Sequence, residues 1–451
     1  MNRSYLCAHA WLGGPTVSDD VLVEVSGDRI ISVTPSAVAA KAQAVAAATR
    51  LPGLTVPGLA NVHSHAFHRA LRARTQTEQG SFWTWREQMY SVAGQLDPDS
   101  YLALARAVYA EMVLAGVTCV GEFHYLHHRL GGGAYDDPNA MAAALAESAR
   151  QAGLRLTLLD TCYLSGGIGS PLEGVQTRFG DGSAAQWARR ADLLAEQMNS
   201  FSDVRVGAAV HSVRAVPADE IATVAQWAAS RGAPLHMHLS EQEAENDACL
   251  AAYGRTPTQV LADSGALGPR ATAVHATHLS AVDVGLLGGS GTGVCMCPTT
   301  ERDLADGIGP VRELVDRGAS LSLGSDSHAV IDLLEEARGV ELDERLASRR
   351  RGHFTATELL TAATRTGHDA LGWPQAGVIA VGAYADLVTV RLDSVRTAGC
   401  GPTLETAVFA ASAADVTHVV SGGTVVVADG IHTAVADTGR ALADAIGAVT
   451  R

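Results

Sequence analysis

The sequence is almost without lysine. Of its 33 basic residues among 451, Lys41 is the one lysine, and it lies in the alanine-rich stretch AAKAQAVAAA. A phosphate-binding loop, a Schiff base or a lysine that bridges two metal ions would each have to use this residue. No loop or strand signature surrounds it, so the sequence argues against all three mechanisms.

Positive charge and long apolar runs are also scarce. The net charge is −15, whereas a nucleic-acid partner would require a basic face. No uncharged apolar run approaches the roughly 18 residues of a membrane span, and the opening stretch MNRSYLCAHAWLGG has no signal-peptide core. We therefore expect no nucleic acid and no membrane as a partner, and a cytoplasmic location.

Cysteines are few and odd in number. None of the seven cysteines forms a pair with the two-residue spacing of a zinc ribbon. Cys295 and Cys297 alternate along an apolar stretch, so we interpret them as core residues of a strand. At this length the chain can bury a large core without disulfides.

Strand-like and helix-like segments alternate eight times between residues 56 and 371. The predicted strands cover residues 55–66, 117–126, 155–164, 204–213, 234–241, 272–279, 293–300 and 320–327. The segments between them carry apolar residues at three- and four-residue spacing, and several end in glycine. Eight such units predict an α/β fold, a (β/α)8 barrel of the TIM type, over residues 56–371.

The two ends of the chain contain short strands instead. Residues 1–55 include VLVEVSGDRIISVTP, and residues 372–451 include AGVIAVGAYADLVTVRL and THVVSGGTVVVADG, all with glycine turns. The two sets lie too far apart in the chain to be independent units. We predict one small β-sandwich domain that both termini complete, followed by a terminal helix in TGRALADAIGAVTR.

Chemically interesting side chains gather at the C-terminal ends of the predicted strands. They are His63 and His65 on strand 1, Glu122, His124 and Tyr125 on strand 2, His211 and the following Arg214 on strand 4, His236, His238 and Glu241 on strand 5, His275 and His278 on strand 6, and Asp326 and His328 on strand 8. A barrel of this type builds its active site at that face. We therefore expect these side chains to converge on one mouth.

Several of these residues suit a metal ion. His63 and His65 stand two residues apart on a strand, so they point the same way at about 6.6 Å between Cα atoms. Both could reach one ion at about 2.1 Å. His238, His275 and Asp326 end other strands of the same ring, and three imidazoles with one carboxylate would suit a single catalytic Zn²⁺ or a similar divalent ion. His236 shares the face of His238, and we prefer His238 because it is nearer the strand end.

Two further residues near this group have open roles. His275 and His278 face opposite ways on their strand, so one of them enters the barrel, and the spacing does not say which. Glu241 could be a solvated acid at a helix start, because the sequence from Ser240 to Glu243 resembles a helix N-terminus. Beside an activated water, however, hydrolysis requires a carboxylate that shuttles protons.

The motifs that carry these residues resemble a known superfamily. VPGLANVHSHAFHRA, LHMHLSE, VHATHLS, GSDSH and AGVIAVGAYADLVTV are similar to the amidohydrolase superfamily over essentially the whole chain. More narrowly, GSFWTWREQMY, EFHYLHH, HSVRAV and CPTTERDLADG resemble the formimidoylglutamate deiminases within it. Those enzymes of histidine catabolism convert N-formimidoyl-L-glutamate and water to N-formyl-L-glutamate and ammonia, so the resemblance implies a hydrolase of linear amidines.

The resemblance also implies roles for individual residues. One Zn²⁺ would be held by His63, His65, His238 and Asp326. Asp326 would also accept a proton, Glu241 would deliver one to the leaving nitrogen, and His275 would steady the intermediate. The two substrate carboxylates would be bound by Arg86, Tyr125 and Arg214, and His211 would lie near the formimino group. Arginine suits a dicarboxylate because it pairs carboxylates bidentately. His68 departs from the glutamine of the family, and it could still donate a hydrogen bond to the substrate. We expect a small dicarboxylate substrate and a homodimer.

Three other functions fit parts of the pattern. A deaminase of a purine or of S-adenosylhomocysteine would share the metal site, but its pocket would favour aromatic stacking over arginine. An imidazolonepropionase is a second hydrolase on the same fold. A non-catalytic scaffold would be expected to lose metal ligands, and this chain keeps them.

Overall fold

Eight strands pair in parallel and in chain order to form a nearly closed barrel. The computed structural model describes residues 2–37, 42–76 and 82–450, so Lys41 lies outside the described residues. With strands numbered over the whole chain, the barrel consists of β5 (Leu59–Ser64), β6 (Val117–His124), β7 (Arg155–Cys162), β8 (Val204–Val210), β9 (Leu235–Leu239), β10 (Ala271–His275), β11 (Gly293–Met296) and β12 (Leu321–Leu323). The predicted fold class is confirmed, and each barrel strand is shorter than its predicted segment.

Helices cover the outside of the barrel. The α-helices are Ala42–Ala47, Phe82–Gln95, Pro98–Leu114, Ala140–Ala152, Ala184–Met198, Ala218–Arg231, Glu243–Tyr253, Pro257–Asp263, Ala281–Ser290, Pro298–Asp303, Val311–Asp316, Leu333–Ser348, Ala356–Thr361, Gly367–Ala370, Leu404–Phe409 and Thr438–Val449. Several end as the sequence predicts, because Gly153 and Gly232 take left-handed conformations at φ 80° and 61° just after a helix. The apolar faces of the helices pack on barrel strands whose residues are almost all buried.

The two termini build a second sheet together. Its strands are β1 (Asn2–Trp11), β2 (Val17–Ser26), β3 (Arg29–Thr34), β4 (Thr49–Pro57), β13 (Leu387–Val390), β14 (Val416–Ser421), β15 (Thr424–Ala428) and β16 (Ile431–His432). They are hydrogen-bonded in the order β16-β15-β14-β13-β4-β1-β2-β3. The antiparallel pair β4–β13 joins the N-terminal part of this sheet to its C-terminal part.

The chain passes from the second sheet into the barrel within a single residue, which the sequence did not indicate. The predicted first barrel strand, 55–66, belongs to both sheets, because β4 runs on to Pro57 and β5 begins at Leu59. The change occurs at Gly58, where a Cβ atom would overlap the side chain of Thr118. Strand β1 was not predicted, since its apolar residues do not alternate.

The C-terminal helix Thr438–Val449 packs against the barrel helix Pro98–Leu114. It therefore fastens the end of the chain to the barrel. No helix of the described residues has both the length and the apolar character needed to cross a membrane. The cysteines are free, and Cys295 and Cys297 are buried as predicted.

Candidate active site

Four side chains from three strand ends meet at one point of the barrel mouth. His63 and His65 come from the end of β5, His238 from β9, and Asp326 from the loop after β12. One ligand atom from each lies within 4.8 Å of the others. His63 Nε2 is 3.0 Å from His238 Nε2 and 3.2 Å from Asp326 Oδ1, and His65 Nε2 is 3.4 Å from the same oxygen. The structure thus brings together the residues predicted to hold a metal.

Hydrogen bonds at the back of two rings fix which nitrogens face this point. His238 Nδ1 donates to the carbonyl oxygen of His211 at 2.9 Å, and His65 Nδ1 donates to that of Phe123 at 3.0 Å. Both rings therefore present bare Nε2 lone pairs, beside the carboxylate of Asp326. Such a group of acceptors holds one proton at most, on His63, and its chemistry fits a divalent cation.

The protonation states suit the same interpretation. Burial lowers the pKa of His65 to about 3, with the charge of His63 adding to the effect, and burial also lowers the pKa values of His63 and His238. Burial alone would raise the pKa of Asp326, but the hydrogen bond from His63 holds it well below its usual range. Neutral imidazoles and an ionised carboxylate are the forms that bind a metal.

His275 and Glu241 lie beside this point. His275 Nε2 is 3.9 Å from Asp326 Oδ2 and 3.9 Å from Glu241 Oε1, while its Nδ1 donates to Glu301 Oε1 at 3.3 Å. Burial would lower the pKa of His275, but the charge of Glu241 and the hydrogen bond to Glu301 raise it well above its usual value. A protonated imidazole can donate from both nitrogens, toward the carboxylates on each side.

A cavity of about 320 Å³ opens over these residues. All residues given a metal, catalytic or substrate role line it except His63, which lies fully buried beneath. Five other residues expected at the mouth do not line it: Glu122, His124, His236, His278 and His328. Much of the remaining wall is aromatic, contributed by Trp85, Tyr90, Tyr163 and Phe179. The cavity therefore joins the metal-type cluster to a pocket that can hold a small organic molecule.

Two arginines reach the cavity from different elements. Arg86 comes from the helix Phe82–Gln95, and its Nε donates to the hydroxyl of Tyr90 at 2.5 Å. Arg214 follows β8, with Nη2 3.4 Å from Glu241 Oε2 and Nε 3.3 Å from Glu245 Oε2. The arginine that the resemblance assigns to substrate therefore also contacts the predicted proton donor.

The remaining predicted residues form one side of the cavity. His68 Nε2 lies 3.0 Å from the hydroxyl of Tyr125, and the ring of His211 packs 4.4 Å from that of Tyr163. Burial lowers the pKa values of His68 and His211 well below the usual value for histidine. Both are therefore neutral hydrogen-bonding groups at neutral pH.

The structure also separates the members of two histidine pairs, of which the sequence left His275 and His278 undecided. His275 lines the cavity, whereas His278 Nε2 donates to the carbonyl oxygen of Asp306 at 2.8 Å. His236 shares a face with His238, as expected, but its Nε2 donates to the carbonyl oxygen of Ala370 at 3.1 Å. His238 and His275 are thus the members of each pair that reach the site.

Sequence reasoning missed several residues of the site. Tyr163 directly follows β7, so its place at a strand end is a signal that could have identified it. Glu245 stands one helical turn after Glu241, a spacing that places both on one side of a helix start. Glu301, which bonds His275, carries no local signal, because only the packing of the helix Pro298–Asp303 brings it there.

Comparison with known proteins agrees with this geometry. The model of the amidohydrolase family matches residues 54–426. The formimidoylglutamate deiminase of Pseudomonas aeruginosa is 36% identical over 442 residues, covering 95% of this chain and 95% of that protein. A 5-methylthioadenosine/S-adenosylhomocysteine deaminase of Natronomonas pharaonis is 29% identical over 381 residues, covering 83% of this chain and 82% of that protein.

Among solved structures, an amidohydrolase from Brucella melitensis superposes with a TM-score of 0.91 at 31% identity, and the match covers 100% of both chains. The likeness therefore extends over the barrel and the second sheet alike.

Proposed function

The chain belongs to the amidohydrolase family, and on that premise we propose that it hydrolyses N-formimidoyl-L-glutamate to N-formyl-L-glutamate and ammonia with one Zn²⁺. A deamination of this general kind is what its relatives named above carry out. The observation that carries the finer proposal is one cavity that combines the His63, His65, His238 and Asp326 cluster with the guanidinium groups of Arg86 and Arg214.

The arginines favour an acidic substrate in an otherwise acidic protein. The chain has a net charge of −15, so a dicarboxylate would be repelled unless positive charge is placed locally. Arginine forks pair carboxylates bidentately. Arg86 and Arg214 would hold the two ends of the glutamate part, and Tyr125 and His68 would add hydrogen bonds along one wall.

In the proposed reaction a C–O bond forms at the formimino carbon, and the bond from that carbon to its terminal nitrogen breaks. A divalent ion, when bound, acts as a Lewis acid and lowers the pKa of water at the site. Asp326 Oδ2, which faces His275 at 3.9 Å, would take a proton from the attacking water. Glu241 would pass a proton to the leaving nitrogen, so that both water hydrogens leave with ammonia.

His275 would steady the charge that develops in this reaction. Its Nε2 lies 3.9 Å from both Glu241 and Asp326, between the groups proposed to give and to take a proton. Glu301 holds the ring from the other nitrogen. A preorganised donor of this kind is worth more inside a dry site than in water.

A purine-type substrate is the second candidate, and one observation favours it. Trp85, Tyr90, Tyr163 and Phe179 line the cavity, and aromatic rings stack on heterocycles. The relative from Natronomonas pharaonis is named for such a substrate. The two candidates share the metal-type cluster and differ in what the arginines would bind.

The deciding experiment compares substrates on one preparation of enzyme. Ammonia release is measured with formimidoylglutamate, formimidoylaspartate, guanine and S-adenosylhomocysteine, after the bound metal has been quantified. We expect turnover of formimidoylglutamate and about one equivalent of zinc. Turnover confined to a purine would reject the substrate, and a protein that binds no metal would reject the mechanism. The homodimer and the cytoplasmic location stay predictions, and sedimentation of the purified protein tests the first.

A further inference from the structure

The barrel is closed unevenly. Parallel ladders of several residue pairs join each neighbouring pair from β5 to β12, with register shifts in the β5–β6 ladder. Between β12 and β5, the structure pairs the described residues through one isolated bridge, from Ser64 to Asp326. There Asp326 N donates to the carbonyl oxygen of His63 at 3.0 Å, and His65 N donates to that of Asp326 at 3.3 Å. The barrel thus closes at the residues that would hold the metal.

The backbone on one side of this seam is strained. Asp326 and His328 adopt left-handed conformations, with φ of 40° and 60°. Non-glycine residues pay roughly 1–3 kcal/mol for such conformations and keep them only when neighbouring contacts enforce them. A single bridge constrains the backbone weakly, so side-chain contacts must hold these two residues in their left-handed conformations.

A chain of buried side chains crosses the seam directly behind the site. Asn61 Oδ1 accepts from Ser325 N at 2.9 Å, which fixes the amide so that Asn61 Nδ2 donates to Ser325 Oγ at 2.7 Å. Ser325 Oγ can then donate to His328 Nδ1 at 2.9 Å. Asn61 lies on β5 and the other two lie after β12, so these bonds tie the two strands together.

The chain continues on the far side of the imidazole. His328 Nε2 donates to Ser64 Oγ at 3.2 Å, and Ser64 Oγ donates to Glu122 Oε2 at 2.7 Å. Glu122 Oε1 accepts from Ala66 N at 2.7 Å. One tautomer of His328 allows every hydrogen bond of the chain to run in the same direction. Glu122 accepts hydrogen bonds from Ser64 and Ala66, the residues on either side of His65.

We propose that Asn61, Ser64, Glu122, Ser325 and His328, the seam chain, are positioning residues that set the separation between the β5 histidines and Asp326 and thereby set the affinity for the metal. None of them lines the cavity. The proposal rests on the metal dependence of the proposed function but not on its substrate. Partners that orient metal ligands from behind typically change metal affinity about 10- to 100-fold when they are removed.

The test compares two buried serines of one strand end. Ser325→Ala interrupts the seam chain. Ser322→Ala removes an equally buried hydroxyl of β12 that, among the residues the structure describes, bonds only the carbonyl oxygen of Val294 at 3.0 Å. Zinc affinity is measured by competition with a chromophoric chelator, and the melting temperature of the metal-free protein is measured in parallel. We expect Ser325→Ala to bind zinc about 10- to 100-fold more weakly and Ser322→Ala to bind it like the parent chain.

A second variant keeps the test decisive if Ser325→Ala folds poorly. Ser64→Ala breaks the same chain from β5, and it should show the same loss of zinc affinity. Wild-type affinity in both variants, or an equal loss in Ser322→Ala, would overturn the proposal. A parent chain that binds no zinc would instead reject the metal-dependent function, so the two failures are distinguishable.

Discussion

Two buried polar clusters lie on opposite faces of the barrel wall and satisfy their hydrogen bonds in different ways. The outer one, the Arg190 cluster (Asn139, Asp160, Asp181, Trp187 and Arg190), lies between β7 and the helix Ala184–Met198. Arg190 Nη1 and Nη2 contact the two oxygens of Asp160 at 2.8 and 2.9 Å, and its Nε donates to Asp181 at 2.9 Å. Trp187 Nε1 also donates to Asp160, at 2.7 Å. Donors and acceptors are matched within the chain.

The inner cluster at the barrel mouth is not matched. His63, His65, His238 and Asp326 present lone pairs to a common point with one proton at most among them. Burial of such groups is costly without a partner. A buried cluster that closes its own hydrogen bonds therefore serves stability, whereas one with surplus acceptors is suited to bind a cation.

The largest expected effect separates catalysis from stability at the inner site. Glu241→Gln keeps the shape and the contacts with Arg214 and His275 but cannot exchange a proton. We expect turnover to fall by about 10²- to 10⁴-fold, while zinc content and melting temperature stay near those of the parent chain. Ammonia release under saturating substrate measures it.

Glu243→Gln provides the matched control, because Glu243 stands two residues away with its side chain 85% exposed. It should keep full activity. Near-normal ammonia release by Glu241→Gln would contradict the proposed proton donor.

For the outer cluster we expect the reverse, a loss of stability without a loss of turnover. Arg190→Met leaves the carboxylates of Asp160 and Asp181 buried without their partner, and breaking such a pair costs about 3–5 kcal/mol. The free energy of unfolding, from urea titration, should fall by that amount, while turnover per folded molecule stays unchanged. Arg189→Met, at the exposed neighbouring position, should change neither. A loss of turnover in the folded fraction of Arg190→Met would mean that the two clusters are coupled.

The fold was largely predictable because it depends on local periodicity. Apolar runs and helical spacing mark all eight barrel strands, and turn glycines mark most strands of the second sheet. The grouping of His63, His65, His238 and Asp326 was predictable for a related reason, since parallel strands bring their C-terminal ends to one face.

Contacts across the barrel carry no such local signal. Three such contacts depend on how segments distant in the chain pack: Arg214 with Glu245, Glu301 with His275, and His328 with Ser64. The sequence shows which strand end carries a side chain, but not its neighbour from another strand. The residues that hold the site in place were therefore harder to identify than the residues that form it.

A lower pH should reduce the stability of the protein by a small amount, through one histidine beside the outer cluster. His127, beside the Arg190 cluster, donates from Nε2 to the carbonyl oxygen of Thr161 at 2.9 Å. Burial, with the charge of Arg190, lowers the pKa of His127 to about 4, against the opposing charges of Asp160 and Asp181. The unfolded chain, with a histidine pKa near 6.5, takes up this proton first. Stability is therefore full above pH 6.5 and falls as the pH drops toward 4, by roughly 1 kcal/mol between pH 6.5 and 5.5 from this one residue.

His127→Gln, which can keep the bond to Thr161, should lose that much less stability over the same interval in urea titrations of the zinc-loaded protein. Identical pH dependence in the two proteins would show that His127 is already protonated in the folded chain, and that the outer cluster has spare acceptors after all.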